Sequence, residues 1–197
     1  MTRSRLSLAL AGVALAAGAA VASTAATAAP GGGACQLNGT ADFVNGPNTS
    51  AHDFTYGFRG ALTTCKSNVS APASGVISAG KTITIGGVDY QEPAATGTGD
   101  CASNSTAGTA VVQWVDGTIT LLDYTTTSAG AAVVLQATVR DTLTVFSSTG
   151  SRTITTTQFA GATAKAALAF EASPVDCAGA GVSSAGIAGV AGIGTTA

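Results

Sequence analysis

Charge is scarce in this chain of 197 residues: 9% are Asp, Glu, Lys or Arg, with ten acidic residues against eight basic ones. Nucleic-acid recognition neutralises phosphates with clustered Lys and Arg, so composition excludes that class of partner. Histidine is almost missing too. His52 is the only one, which leaves no second imidazole for a histidine-rich zinc site and a single base for any triad. Aromatic residues amount to 5%, with one Trp, so few flat rings are on hand for a sugar-binding platform. No Cys-x-x-Cys spacing occurs, which removes the usual zinc and thiol-redox motifs. Low charge with 26 Gly would also fit a disordered stalk, but the apolar residues recur at a strict spacing that stalks lack. The chain is expected to fold.

What is present begins with an export signature. Arg3 and Arg5 form a basic start, and Leu6 through Ala22 form an apolar stretch ending in small residues, the pattern of a helical, cleavable secretory signal. Ala26 and Ala28 suit the peptidase, whereas cleavage after Ala29 would put Pro30 first. The expectation is a signal peptide over 1–28, a flexible Gly-rich start over 29–34, one domain over 35–191 and a tail over 192–197. An uncleaved anchor is disfavoured because no stop-transfer charges follow the apolar run. Lipidation at Cys35 is disfavoured because Gly31, Gly32, Gly33 and Ala34 precede it where a lipoprotein box carries leucine. Without the two signal arginines, six basic residues face ten acidic ones, a formal charge of −4. The expected product is released outside the cell with no membrane partner after cleavage.

Cys35, Cys65, Cys101 and Cys177 all follow the signal, and an even set of thiols sent to an oxidising compartment reads as two disulfides. Of three possible connectivities the most local is preferred, Cys35 with Cys65 and Cys101 with Cys177. Parity complicates the first pair. Cys35 shares the buried phase of its strand, but Cys65 is out of phase with Phe54, Tyr56 and Phe58, so a bridge needs a bulge or a loosened strand end, for which Gly60 offers a place.

Elsewhere the period is two. Apolar and polar residues alternate over Cys35 to Phe43 and over Phe54 to Thr63, with Asn45-Gly46-Pro47-Asn48 as the turn between them, which predicts an antiparallel hairpin. Asp116-Gly117 predicts a two-residue hairpin loop placing Val112 opposite Leu121 and Trp114 opposite Ile119 on one apolar face. Val133, Leu135, Ala137, Val139, Leu143 and Val145 then line one face of a long strand. Shorter strands are expected around Gly75 to Ile85, Thr153 to Phe159, Ala166 to Phe170 and Val182 to Val190, and no segment shows a helical period. About eight strands imply an all-β domain, first an antiparallel β-sandwich of immunoglobulin-like or Greek-key type, with a small β-barrel as the alternative.

Ala34-Cys35-Gln36-Leu37-Asn38-Gly39-Thr40, Phe54-Thr55-Tyr56-Gly57-Phe58, Ser74-Gly75-Val76-Ile77-Ser78-Ala79-Gly80 and Gly181-Val182-Ser183-Ser184-Ala185-Gly186-Ile187 together resemble a group of small secreted actinobacterial proteins with no assigned activity. The resemblance covers most of the chain after the signal. It implies secretion and an all-β fold, and it supplies no catalytic residue.

No catalytic set can be assembled, and no cofactor is implied. His52 and Asp53 are neighbours in a strand and so point to opposite faces. Asp89, Glu92 and Asp100 lie in one Gly- and Thr-rich loop region where oxygen ligands could bind calcium, although such acids more often keep a loop solvated. Asp123 and Asp141 interrupt apolar phases. Asp141 reads as a strand end or bulge. Tyr90, among polar neighbours, is the only named candidate for ligand contact. Asn38, Asn48, Asn68 and Asn104 begin Asn-x-Ser/Thr triplets, which arise by chance in a chain this rich in Ser and Thr, and the signal and the resemblance imply a bacterial source, where such triplets usually go unmodified.

Three functions fit. The first is a non-catalytic binder of the cell envelope, its wall or an extracellular polysaccharide or other polymer. The second is a hydrolase whose dispersed carboxylates converge only on folding. The third is a structural protein assembling through Thr-rich strand edges.

Overall fold

The computed structural model describes residues 32–67 and 71–194. The signal segment, the expected mature start at Ala29, the Asn68 triplet and residues 195–197 lie outside them. The described chain is all-β with one short helix. Its strands are β1 (Gly33–Val44), β2 (His52–Ser67), β3 (Gly75–Ala79), β4 (Thr82–Ile85), β5 (Val88–Gln91), β6 (Ala95–Gly99) and β7 (Ser103–Trp114). They continue as β8 (Ile119–Ala129), β9 (Ala132–Arg140), β10 (Thr142–Ser147), β11 (Gly150–Thr155), β12 (Thr163–Glu171) and, after α1 (Pro174–Ala178), β13 (Ser184–Gly194).

Of the two expected architectures, the barrel is the one built. The main sheet runs β1-β13-β12-β9-β8-β7-β3-β2, and β2 pairs back with β1, which closes an eight-stranded antiparallel ring. A sandwich needs two facing sheets. Here the sheet coils onto itself, and glycine at crowded inner positions makes room for it. Gly39 and Gly60 are paired across β1 and β2, and the Phe58 ring lies over both, within 3 Å of where either Cβ would stand. The Phe54 ring occupies the same kind of space over Gly97. Ring-over-glycine contacts of this type let a strongly curved sheet keep its inner wall packed.

One stave of the barrel is made from two short pieces. β3 bridges β2 and β7 near one end and β6 bridges the same two strands near the other. Between them the chain leaves the wall to form the β4-β5 hairpin. Glu92 fastens the gap. It is 2% exposed, with Oε1 accepting from Ser78 Oγ at 2.8 Å and Oε2 from the Lys81 amide at 3.0 Å. The hairpin joins β10 and β11 in an outer four-stranded sheet, order β11-β10-β5-β4. Ile83, Leu143, Val145 and Ile154 from this sheet cover Val111 and Leu121, which point outward from the barrel. Each such large side chain, fully buried, contributes about 1.5 to 3 kcal/mol.

Three sequence expectations shift in register. The β7-β8 loop is three residues, not two: Gly117 donates to the Trp114 carbonyl at 3.0 Å and sits at φ +85°, a type I turn closed by a glycine bulge. The pairing therefore becomes Val111 with Leu121 and Val112 with Thr120. A one-residue slip reverses a strand's faces, so Ile119 and Leu121 face the outer sheet while Thr120, Leu122 and Tyr124 face inward. Second, the long strand expected over Val133 to Val145 breaks at Asp141. Its first half lines the barrel and its second half, β10, joins the outer sheet. Third, the bulge that lets Cys65 reach Cys35 lies at Thr64 (φ +52°) rather than at Gly60. The disulfides join Cys35 to Cys65, with Cα atoms 4.0 Å apart, and Cys101 to Cys177, with Cα atoms 6.1 Å apart.

Candidate functional site

The barrel interior is unevenly filled. Near the β7-β8 turn, Trp114 (6% exposed), Leu62 (4%) and Val112 (2%) close it. Phe159 meets Trp114 edge to face at 5.8 Å, holding a left-handed backbone (φ +60°) to do so. The Trp114 Nε1–H donates to Thr120 Oγ1 at 2.9 Å, so its one polar atom is satisfied.

Toward the opposite end a cavity of about 120 Å³ remains. Alternation in β9, β12 and β13 turns Val133, Leu135, Leu168 and Ile187 onto this space, and all four keep some accessible surface although they face inward. Phe43 closes over it in a cluster with Phe54, Tyr56 and Phe170, at ring distances of 5.7 to 5.9 Å. The opposing wall, from β2, β7 and β8, is polar. Tyr124 Oη lies 2.6 Å from Tyr56 Oη, Tyr56 Oη 2.9 Å from Thr106 Oγ1, and Thr106 Oγ1 2.7 Å from Thr126 Oγ1. Gly108 makes this ladder possible, because a Cβ there would stand 2.9 Å from the Tyr124 hydroxyl. Burial pushes the Tyr124 phenol well above its ordinary pKa, with the Tyr56 phenol and Glu92 adding to the rise. Burial also raises Tyr56, outweighing its bonds to Thr106 and Tyr124. Both phenols are therefore neutral donors and acceptors.

The lining side chains carry no charge except Lys165, an exposed residue on the outward phase of β12. The β12-β13 connection runs across this end of the barrel. Cys177 on α1 staples that connection to Cys101 in the β6-β7 turn, and the Val182 amide donates to the Pro47 carbonyl at 3.0 Å.

The acidic residues singled out from the sequence do not converge. Asp89 accepts from Thr84 Oγ1 at 2.6 Å on β5. Glu92 is the buried fastener of the divided stave, its carboxyl raised by burial against the opposing pull of the Lys81 amide, Ser78 and Arg59. Asp100 accepts the Ala102 and Ser103 amides, both at 2.8 Å. Asp123 holds Arg140 and Thr109, each at 2.9 Å. Asp141 stands exposed at the corner between β9 and β10. Among the described residues no three His, Cys, Asp or Glu are grouped to hold a metal ion.

His52 opens β2, its Nδ1 2.7 Å from the Ser50 carbonyl and its Nε2 3.0 Å from that of Asn45. Carbonyls at both nitrogens favour the doubly protonated ring, and the Ser50 carbonyl contributes most to its raised pKa. Tyr90 is not in a loop: it lies on β5, opposite Ile83, half-buried in the outer-sheet core. The exposed aromatic of that sheet is Phe146, 62% exposed.

Thr106, Thr126 and the two tyrosines were not among the sequence candidates. Their signal was there to read. The phase carrying Val112 and Trp114 continues backward as Thr106 and Asn104, a change from apolar to polar along one face that marks a wall polar at one end. The expected β7-β8 register hid the matching change in β8. No protein-family model, curated protein or solved structure matches this chain. Fold and site together define a closed eight-stranded antiparallel barrel with a mostly apolar cavity and an outer sheet packed on one flank.

Proposed function

We propose that this is a secreted, non-catalytic protein that binds a small apolar molecule inside its barrel. The observation that carries the reading is the unfilled half of the interior, where inward Val133, Leu135, Leu168 and Ile187 line open space. Eight strands close around an interior either just filled by side chains or wide enough for one small ligand, and this barrel does the first at one end and the second at the other. An apolar cavity of comparable size takes up benzene. The two disulfides fit an oxidising, extracellular location. Exposed Ser105, Thr125 and Thr127 on the outer phase of β7 and β8 stand where a membrane-spanning barrel carries an apolar band and support an aqueous setting.

The test is methyl-resolved NMR of the oxidised protein in benzene-saturated buffer. The methyls of Leu135, Leu168 and Ile187 should shift, and Ala166→Leu, which fills the cavity from β12, should abolish the response. Shifts confined to surface methyls such as Val76 and Val134 would reject an interior site.

A second reading, contact with a cell-wall or other extracellular polymer, is favoured by one observation: Phe146 stands exposed on the outer sheet, paired with Gln91. Retention on insoluble polysaccharide that Phe146→Ala abolishes would support it, and equal retention of both proteins would reject that site.

A further inference from the structure

We infer that the interior site selects a small neutral molecule bearing one carbonyl or hydroxyl oxygen, which the hydroxyl ladder binds. This inference rests on the interior-binding reading above. Tyr124, Tyr56, Thr106 and Thr126 bring four O–H donors to three mutual contacts. Each contact uses one proton, so the ladder always has one O–H left over, on whichever of the four hydroxyls the others donate toward. Among the described residues neither Tyr124 Oη nor Thr126 Oγ1 has a hydrogen-bond partner beyond the ladder. All four residues belong to the set around the cavity. A hydroxyl facing an apolar cavity without a partner is unfavourable. An oxygen on the ligand removes that deficit, whereas a plain hydrocarbon leaves it.

The remaining selectivity follows from volume and charge. About 120 Å³ admits one six-membered ring or a short carbon chain. A carboxylate or ammonium group would be desolvated without a counter-charge, since the lining is uncharged apart from outward Lys165. The ladder can reverse its donor directions, so a carbonyl accepts the spare O–H and a ligand hydroxyl both donates and accepts. The opposite wall of Val133, Leu135 and Leu168 receives the hydrocarbon body. Selectivity is therefore for one neutral oxygen at one end of a compact apolar molecule.

The experiment compares benzene, benzaldehyde, phenol and benzoate by methyl NMR titration against the intact oxidised protein and against a variant carrying Tyr56→Phe, Thr106→Val, Tyr124→Phe and Thr126→Val, which removes all four hydroxyls. Benzaldehyde and phenol should bind about five-fold more tightly than benzene, the worth of one neutral hydrogen bond, and benzoate should not bind. In that variant the two oxygenated ligands should fall to the level of benzene, while benzene itself still binds and so shows that the barrel is folded. Equal binding of benzene and benzaldehyde to the intact protein, or tight benzoate binding, would overturn the oxygen selectivity and leave interior binding standing. Failure of all four ligands would overturn interior binding itself.

Discussion

The two ends of the barrel are built on different principles. At the β7-β8 end, Trp114, Leu62, Val112 and Phe159 fill the interior, and the disulfide there, Cys35 to Cys65, joins two strands that already pair. At the other end the side chains stop short of filling the space, and closure comes from a connection stapled by Cys101 to Cys177 across a sequence separation of 76 residues. Packing holds one end and a covalent crosslink holds the other. The difference shows how a small barrel keeps internal space: apolar surface left unburied at the cavity lowers stability, and a long-range staple offsets it without occupying the volume.

The sharpest way to break this comparison is to remove each staple. The loop-entropy relation gives about 4.5 kcal/mol for the bridge spanning 76 residues and about 3.7 kcal/mol for the one spanning 30. Replacing Cys101 and Cys177 by Ser should therefore lower the denaturation free energy more than replacing Cys35 and Cys65, read as urea midpoints at constant slope. The packing side is tested by truncation. Trp114→Ala should lose about 3 to 5 kcal/mol, whereas Leu168→Ala, whose side chain already borders empty space, should lose less than about 2 kcal/mol. Equal losses would mean that the interior is packed alike at both ends.

Two smaller effects depend on pH. The Glu92 carboxyl is raised above 4.5 by burial, so the folded protein holds that proton to higher pH than the unfolded chain does. Stability therefore falls as pH rises from 4.5 through the folded value, and Glu92→Gln should flatten that part of the profile in urea midpoints taken from pH 4 to 8. His52 has the same sign in a higher pH window. Its folded pKa lies above 6.5, so its hold on the Asn45 to Ser50 turn is complete below 6.5 and is lost as pH rises through the folded value. A ring titration midpoint at or below 6.5 would contradict this.

The sequence conveyed the class and the chemistry of closure better than the register. Alternation made the strands legible, and their apolar phases placed Phe54, Tyr56, Phe58 and Trp114 on inner faces. Ring closure was harder to read because it depends on where glycines meet aromatic rings across strands, as Gly39, Gly60 and Phe58 do, and no single strand displays that. The β7-β8 slip turned on Val115 entering the loop. Both two- and three-residue loops accept Asp116-Gly117, and the choice between them reverses every side chain of β8. The cavity was hidden for the same reason: it is the volume left when eight inner phases are added together, and Tyr124 and Thr126 join it only in the true register.

Ring order also has a temporal consequence. β13, last of the strands along the chain, lies between β1, the first, and β12, so the cylinder cannot be completed while the C-terminal segment is still being synthesised. Until then β1 and β12 each present an unpaired edge, the condition under which β-rich nascent chains pair with one another. Early folding is thus confined to local hairpins, and the final closure joins residues as far apart in sequence as Gly33 and Ile193, a high-contact-order step expected to set the folding rate.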